Sequence, residues 1–293
     1  MKKKTVKQDR PALDTLSALE IARIINREDK RVAGAVEKAL PHIAQAIDVI
    51  AEALGKGGRL IYVGAGTSGR LAALDAAECP PTFNSSPKDV QFVIAGGTRA
   101  LAGAVEAGED AGYTGRRDLA RLRPRRKDVV VGIAASGNTR YTVGALEHAR
   151  SKGARTIAVV CVPHSKLGGA AEIEILVETG EEVLRGSTRM KAGTAQKMVL
   201  NLLTTGAMAR MGRVYGDLMA NVQIRNLKLA ERGLAILEEA AGADRRKAAR
   251  ALKAAGNEVP VALIMLKTGL SRAQARQRLK STKGNVRAAI EKA

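Results

Sequence analysis

The sequence is poor in aromatic residues and cysteine. It contains no Trp, two Phe and four Tyr among 293 residues. Proteins that bind single-stranded nucleic acid stack bases on aromatic side chains, and this chain offers few of them. The two cysteines, Cys79 and Cys161, have no metal-ligand spacing and do not suggest a disulfide framework. Their low number fits a reducing cytoplasm.

Long apolar runs are absent as well. No stretch of about 18 apolar residues predicts a membrane span. The basic start MKKKTVKQDRPALD lacks the apolar segment of a signal peptide. His42, His148 and His164 share no metal-ligand spacing, so no metal site is expected. We therefore expect a cytoplasmic protein without membrane association.

Acidic residues are few relative to basic ones. The chain has 49 Lys and Arg against 29 Asp and Glu, a formal net charge of +20. Such a charge favours nucleic acid, anionic surfaces or anionic small substrates as partners. Because the basic residues are scattered along the chain and aromatic residues are scarce, nucleic acid is not the expected partner.

Five short β-branched runs alternate with helical patterns in the middle of the chain: RLIYV, VQFVIA, DVVVGIA, RTIAVVCV and IEILVE. This alternation predicts an α/β fold with a parallel sheet and crossover helices. Helical periodicity on both sides predicts an N-terminal helical segment (1–57), an α/β domain (58–230) and a C-terminal helical cap (231–293). Pro41 predicts a boundary between two helices of the first segment. Breaks at 269–271 and 284–285 predict a three-helix unit at the end of the chain.

Two strand-to-helix turns are suited to an anion. GAGTSGR follows the first strand and ASGNTRYT follows the third. Each turn alone is equally well explained by helix capping with Ser or Thr, but two such turns at one carboxyl edge of a sheet predict a phosphorylated ligand. The candidate binding residues are Gly66, Thr67, Ser68, Ser136, Asn138 and Thr139.

A third polar cluster, GSTRMKAGTAQK, opens a long helical pattern near Ser187. Cations such as Lys191 are unexpected beside a helix start, because the helix dipole is positive there. An anionic ligand, a subunit contact or a solvated first turn would each explain the cluster. Ser187 and Lys191 are therefore added to the candidate binding residues.

Four segments together resemble a known enzyme family: VGAGTSGRLAALDAAECPPTF, AGGTRALAGAVEAGED, DVVVGIAASGNTRYTVGALEHAR and GSTRMKAGTAQKMVLNLLTTGAM. The chain resembles the N-acetylmuramic acid 6-phosphate etherases, which belong to the sugar isomerase (SIS) superfamily together with the glucokinase regulatory protein. The resemblance runs from about Leu13 to the C-terminal helices. It implies an SIS-type three-layer sandwich and a small ubiquitin-associated-like helical cap.

The resemblance implies a reaction and its residues. The family cleaves the D-lactyl ether of N-acetylmuramic acid 6-phosphate in cell-wall sugar recycling, as a homodimer without metal or organic cofactor. Matching the motifs assigns Glu78 as the acid for departing lactate and Glu109 as the base at carbon 2. Glu106, one helical turn before Glu109, cannot be separated from it by periodicity. The arm KTVKQDRPALD departs from the family pattern, which leaves its role open.

Two other classes of function stay open at this stage. IMLKTGLSRAQARQRL in a basic chain could form the helix-turn-helix of a sugar-phosphate-responsive regulator. A non-catalytic protein that binds a sugar phosphate and a partner enzyme is the second alternative. Glu78 and Glu109 in one chain favour the enzyme, since neither alternative needs both carboxylates.

Overall fold

The computed structural model describes residues 12–103, 111–222, 224 and 226–291. Within these residues the chain forms a three-layer α/β sandwich followed by a helical region. The sheet is parallel, with the strand order β2-β1-β3-β4-β5. Its strands are β1 (Leu60–Gly64), β2 (Val90–Ile94), β3 (Val129–Ile133), β4 (Arg155–Val160) and β5 (Ile173–Leu176). The predicted α/β fold with a parallel sheet is confirmed.

The central strands are apolar on both faces because helices cover both. Every residue of β1 and β3 is buried. These two strands pair in register, with Leu60 opposite Val129 and Gly64 opposite Ile133. They therefore end at the same edge, and the strand order reverses between them, which is where open α/β sheets bind ligands.

In the described part of the chain, three α-helices precede the sheet: α1 (Ala18–Asp29), α2 (Val32–Lys38) and α3 (Leu40–Gly55). The start of α1 is closed by a capping box, in which Ser17 and Glu20 each accept a backbone N–H of the other. Pro41 lies in the first turn of α3, where its missing N–H has no intrahelical partner to lose. The predicted helix boundary at Pro41 is confirmed.

Helices pack on the two faces of the sheet in two groups. One face carries α2, α3, α4 (Gly66–Phe83) and α8 (Lys191–Arg210), whose core includes Ile43, Ala72 and Leu203. The other face carries α5 (Gly112–Arg121), α6 (Arg140–Ser151) and α7 (Lys166–Ala170). Alternate residues of β1 point to opposite faces, with Tyr62 in the first core and Val63 in the second.

The C-terminal helices have an apolar core of their own, built around residues such as Leu237, Leu263 and Val286. They are α9 (Leu227–Ala241), α10 (Arg245–Ala254), α11 (Val259–Thr268), α12 (Arg272–Ser281) and α13 (Val286–Glu291). The predicted breaks at 269–271 and 284–285 are confirmed. The ubiquitin-associated likeness and the segment boundaries stay predictions. No helix in the described part of the chain has the length and apolarity needed to cross a membrane.

Helix α4 passes through the ECPP segment. Pro80 and Pro81 lie inside the helix, which ends only at Phe83 with Asn84 in the left-handed conformation. Proline lacks an N–H, so Pro80 and Pro81 leave the carbonyls of Ala76 and Ala77 without their usual i+4 donors. The two prolines thus stiffen the last turn of a continuous helix that includes Glu78.

Candidate functional site

The candidate site is the edge where β1 and β3 end. The β1–α4 turn is tight: a Cβ on Gly64 would lie 2.8 Å from the backbone N of Gly69. Ala65 is the N-cap residue of α4 and gives no side-chain cap. Gly66 and Thr67 behind it are partly exposed. The first N–H groups of α4 therefore have no side-chain acceptor from the cap position, and helix capping does not account for this turn.

Ser68 is buried and joins α4 to α8. Its hydroxyl donates to Oε1 of Gln196 at 2.9 Å. Gln196 is 1% exposed, and its Nε2 has no hydrogen-bond partner within the described part of the chain. Gln196 belongs to the GTAQK motif, but sequence reasoning assigned it no role. An unpaired buried amide beside a polar turn is costly unless a ligand or water completes it.

The β3–α6 loop presents hydroxyl and amide groups at the same edge. Ser136 and Asn138 are exposed, and Ser136 Oγ accepts the backbone N–H of Asn138 at 3.2 Å. Thr139 is the N-cap residue of α6, yet its side chain makes no capping bond. Gly137 has φ +63°, and a Cβ there would lie 2.3 Å from the Cβ of Ser165, so only glycine fits. The loop is therefore held in shape while its hydroxyls stay open.

The third polar cluster, with Ser187 and Lys191, is arranged differently from what the sequence predicts. α8 begins at Lys191, and the carboxylate of Glu182 caps it by accepting the N–H groups of Lys191 and Ala192, both at 3.0 Å. Lys191 is 2% exposed, and its ammonium donates to Glu28 of α1 at 2.8 Å. The anions at this helix start are thus carboxylates of the chain itself. Ser187, just before α8, is partly exposed.

Glu78 lies apart from the polar turns. It is exposed, and it follows Gly66 by twelve residues in α4, which corresponds to about 18 Å along the helix axis. Leu74, one turn earlier on the same helix face, is 53% exposed. Glu109 and Glu106 lie outside the described residues, as does most of the N-terminal arm.

A second carboxyl group on α4 is buried. Asp75 accepts hydrogen bonds from the Tyr62 hydroxyl at 2.9 Å, the Asn201 amide at 2.8 Å and the Thr204 hydroxyl at 3.2 Å. Burial raises its pKa, and these three bonds act in the opposite direction. This network ties α4, α8 and β1 together. No pattern in the sequence indicates it, since Asp75 stands in an ordinary helical segment.

Cys79 is also buried, at 2% exposure. Burial, with a smaller effect of the Asp75 charge, raises the pKa of its thiol to about 12. The thiolate is the reactive form of cysteine. Cys79 is therefore a packing residue in this structure and not a reactive thiol. Among the described residues, no group of three or more His, Cys, Asp or Glu could hold a metal ion.

A cavity of about 510 Å³ reaches the β3–α6 loop. The predicted binding residue Asn138 lines it, and its walls also carry the cationic side chains of Arg116, Arg140 and Lys166. Anionic ligands are favoured at such a surface.

Comparison with known proteins agrees with this geometry. A model of the glucokinase regulatory protein N-terminal SIS domain matches residues 42–150, and an SIS domain model matches residues 108–206. An N-acetylmuramic acid 6-phosphate etherase from Photobacterium profundum is 51% identical over 278 residues, which are 95% of this chain and 92% of that protein. The chain belongs to the N-acetylmuramic acid 6-phosphate etherase family. The expected resemblance is confirmed.

A second etherase of the family, from Symbiobacterium thermophilum, is 55% identical over 90% of this chain and 87% of its own length. Among solved structures, a phosphoheptose isomerase from Francisella tularensis superposes with a TM-score of 0.52 at 18% identity, over 66% of this chain and 100% of that one. At this identity the likeness shows the fold alone, and it confirms the SIS-type sandwich.

Proposed function

We propose that the protein cleaves the D-lactyl ether of N-acetylmuramic acid 6-phosphate to N-acetylglucosamine 6-phosphate and D-lactate. Identity near 50% over nearly the whole chain to proteins named for this activity carries the proposal. The two open polar turns at the ends of β1 and β3 support a phosphorylated ligand, because their N–H groups and hydroxyls suit a phosphate.

The phosphate is assigned to the turn residues and the chemistry to two carboxylates. Glu109 takes the proton from carbon 2 of the open-chain aldehyde. The carbon 3–oxygen bond then breaks, and Glu78 gives its proton to the departing lactate oxygen. Water adds to carbon 3 of the unsaturated aldehyde, with Glu78 accepting its proton, and carbon 2 is reprotonated. One group must begin ionised and the other protonated, as general acid–base catalysis requires.

We further propose that the active site is shared by two protomers of a homodimer. A sugar phosphate bound at the start of α4 is far shorter than the distance of about 18 Å to Glu78 of the same helix. In such a dimer the exposed Leu74, one turn before Glu78 on α4, would lie close to the partner protomer. Glu78 of one protomer would then serve the polar turns of the other.

The activity is tested by measuring D-lactate release from N-acetylmuramic acid 6-phosphate. The parent protein releases lactate, whereas Glu78→Gln loses about 10²–10⁴-fold in rate, the usual contribution of a general acid. Glu37→Gln, an exposed glutamate of α2, is the matched control and keeps full activity. Absence of lactate from the folded parent protein would contradict the proposed reaction.

The shared site is tested by mixing two inactive variants. Ser136→Asp places a negative charge in the phosphate turn, and Glu78→Gln removes the acid. If each site draws on both protomers, refolding the two together restores about a quarter of the parent activity, the share of intact sites in a random mixture of symmetric dimers. A mixture as inactive as its components would place both functions in one protomer.

The two alternative functions lack comparable support. A regulatory protein would bind the sugar phosphate without releasing lactate. Lactate release in the same assay therefore excludes this alternative, and binding without release favours it. A DNA-binding regulator would bind duplex DNA with a steep salt dependence.

A further inference from the structure

A cavity lies at the amino edge of the sheet, opposite the candidate active site. Its volume is about 610 Å³, within the range of small-molecule sites. It is lined where β1, β2 and β3 begin, by Arg59, Asp89 and Gln91, and by the turn that precedes β3. Because β1 has five residues, the two edges are about 17 Å apart. The cavity is thus separate from the site proposed above.

The cavity carries an excess of positive charge. Among the described residues, its lining has one acidic residue, Asp89, and five cationic ones: Arg59, Lys88, Arg123, Arg125 and Arg213. Two of the five are already paired, since Arg59 and Arg125 bind the buried Asp128 with N–O distances of 2.6 Å and 3.4 Å. Within the described residues, no ion pair involves Lys88, Arg123 or Arg213. These three charges are available to a ligand.

The turn that precedes β3 is held in place rather than loose. The Arg59 guanidinium donates to the carbonyls of Leu122 at 2.9 Å and Arg123 at 3.1 Å. Arg123 has φ +49°, a conformation that a non-glycine residue adopts at some cost. The bonds from Arg59 hold this strained turn, so the Arg123 side chain is presented to the cavity by a fixed backbone.

Two buried polar atoms in the cavity wall lack hydrogen-bond partners among the residues that the structure describes. Ser85 is 4% exposed and its hydroxyl makes no hydrogen bond, and Nε of Arg59 is likewise buried and unpaired. Each unpaired buried group costs free energy that a hydrogen-bonding ligand would recover. Part of the remaining wall is apolar and consists of Leu54, Leu122, Met208 and Met211.

We propose that this cavity binds a small organic anion whose phosphate or carboxylate meets the cationic residues and Ser85 while its apolar body packs on the methionine side. Cations, unpaired donors and an apolar wall in one cavity fit such a molecule better than an inorganic ion, which would leave the methionines unused. Nothing in the proposed etherase reaction requires this second site.

The probe is phenyl phosphate, titrated calorimetrically with N-acetylglucosamine 6-phosphate present in excess to occupy the active site. We expect one saturable site per chain, at least about tenfold tighter for phenyl phosphate than for inorganic phosphate. Phenyl phosphonate and benzoate, titrated in parallel, show whether the site prefers a phosphate-like or a carboxylate head group. Absence of saturable binding, or equal affinity for inorganic phosphate, overturns the proposal.

Variants locate the binding site. Lys88→Gln combined with Arg123→Gln should weaken phenyl phosphate binding at least about tenfold. Arg246→Gln, an exposed arginine of α10, is the matched control and leaves the affinity unchanged. Neither change affects lactate release, so a failed etherase assay and a failed binding assay remain distinct. Unchanged affinity in the double variant would also overturn the proposal.

Ser85→Ala adds a readout that a purely structural serine would not give. Removing an unpaired buried hydroxyl should raise the melting temperature of the free protein while weakening phenyl phosphate binding. A rise in melting temperature with undiminished affinity would show that Ser85 does not contact the ligand, and would count against the proposed placement.

Discussion

The two edges of the parallel sheet carry polar groups of different kinds. At the carboxyl edge, the turns around Thr67 and Ser136 offer neutral hydroxyls and backbone N–H groups, and the helix starts behind them lack side-chain caps. At the amino edge, Asp128 is fully buried and accepts four hydrogen bonds from Arg59 and Arg125. The carboxyl edge leaves neutral donors open, whereas the amino edge pairs its buried carboxylate completely, beside a cavity that has unpaired donors of its own. We infer that substitutions in the Asp128 network of the amino edge act mainly on stability and those at the carboxyl edge on substrate binding.

The largest expected effect is that of Asp128→Ala. This change leaves the Arg59 guanidinium, 17% exposed, without its carboxylate, and should lower the free energy of unfolding by roughly 3–5 kcal/mol. Urea denaturation measures the loss. Asp48→Ala is the control, because its ion pair with Arg210 is mostly exposed and should contribute less than about 1 kcal/mol. Similar losses in the two variants would contradict the comparison.

The Asp128 carboxylate should also make the stability of the fold depend on pH. Burial acts to raise the pKa of Asp128, but the hydrogen bonds from Arg59 and Arg125 outweigh it and hold the pKa below its usual value. The stabilisation is therefore complete above the unfolded pKa of about 3.9 and is lost as pH falls through the lower folded pKa. Denaturation of the parent and Asp128→Asn from pH 7 to pH 2 should show their stability difference shrinking below about pH 4. A constant difference would assign the loss to packing.

Substitutions at the carboxyl edge should change substrate binding and leave stability nearly unchanged. Ser136→Ala and Thr139→Ala each remove an open hydroxyl, and each should raise the KM for N-acetylmuramic acid 6-phosphate about tenfold, as expected for a hydrogen bond to a charged group. Their melting temperatures should stay close to that of the parent, because neither hydroxyl caps a helix. Ser281→Ala, on the C-terminal helices, is the control for KM. A fall in stability without a change in KM would reverse the proposed role of this edge.

The smallest effect is expected from thiol reagents. Burial raises the pKa of both cysteine thiols, Cys79 and Cys161, to about 12. Iodoacetamide at pH 8 should therefore label the native protein far more slowly than the urea-unfolded protein, with no loss of lactate release. Mass spectrometry of the labelled peptides measures both rates. Rapid labelling of Cys79 in the folded protein would contradict its assignment as a buried packing residue.

The strands could be predicted from the sequence, but the buried hydrogen bonds between the strands and the helices could not. Continuous β-branched runs such as DVVVGIA identify buried parallel strands, because only a sheet covered on both faces buries every residue of a strand. The role of Asp75 depends on Tyr62, Asn201 and Thr204, which belong to β1 and α8. Periodicity within α4 carries no information about the neighbours that these elements supply.

The ECPP segment shows a second limit of prediction from the sequence. Two consecutive prolines suggest the end of a helix, yet α4 continues through them to Phe83. Prolines near a helix C-terminus remove few hydrogen bonds, and the Asn84 N–H still bonds to the Pro80 carbonyl at 3.0 Å. Local propensity could identify the stiffness of the segment but not whether it was helical. The place of Glu78 on a continuous helix, and its distance from the polar turns, required the fold.

The ion pair between Glu28 and Lys191 can form only late in the synthesis of the chain. The two residues are 163 positions apart. At ribosomal rates of about 5–20 residues per second, the first helix waits roughly 10–30 s before its buried partner is synthesised. Until then Glu28 lacks this partner, although its ion pair with Arg31, three residues away, is within reach. A nascent chain that stops before Lys191 therefore lacks the buried ion pair that ties α1 to α8.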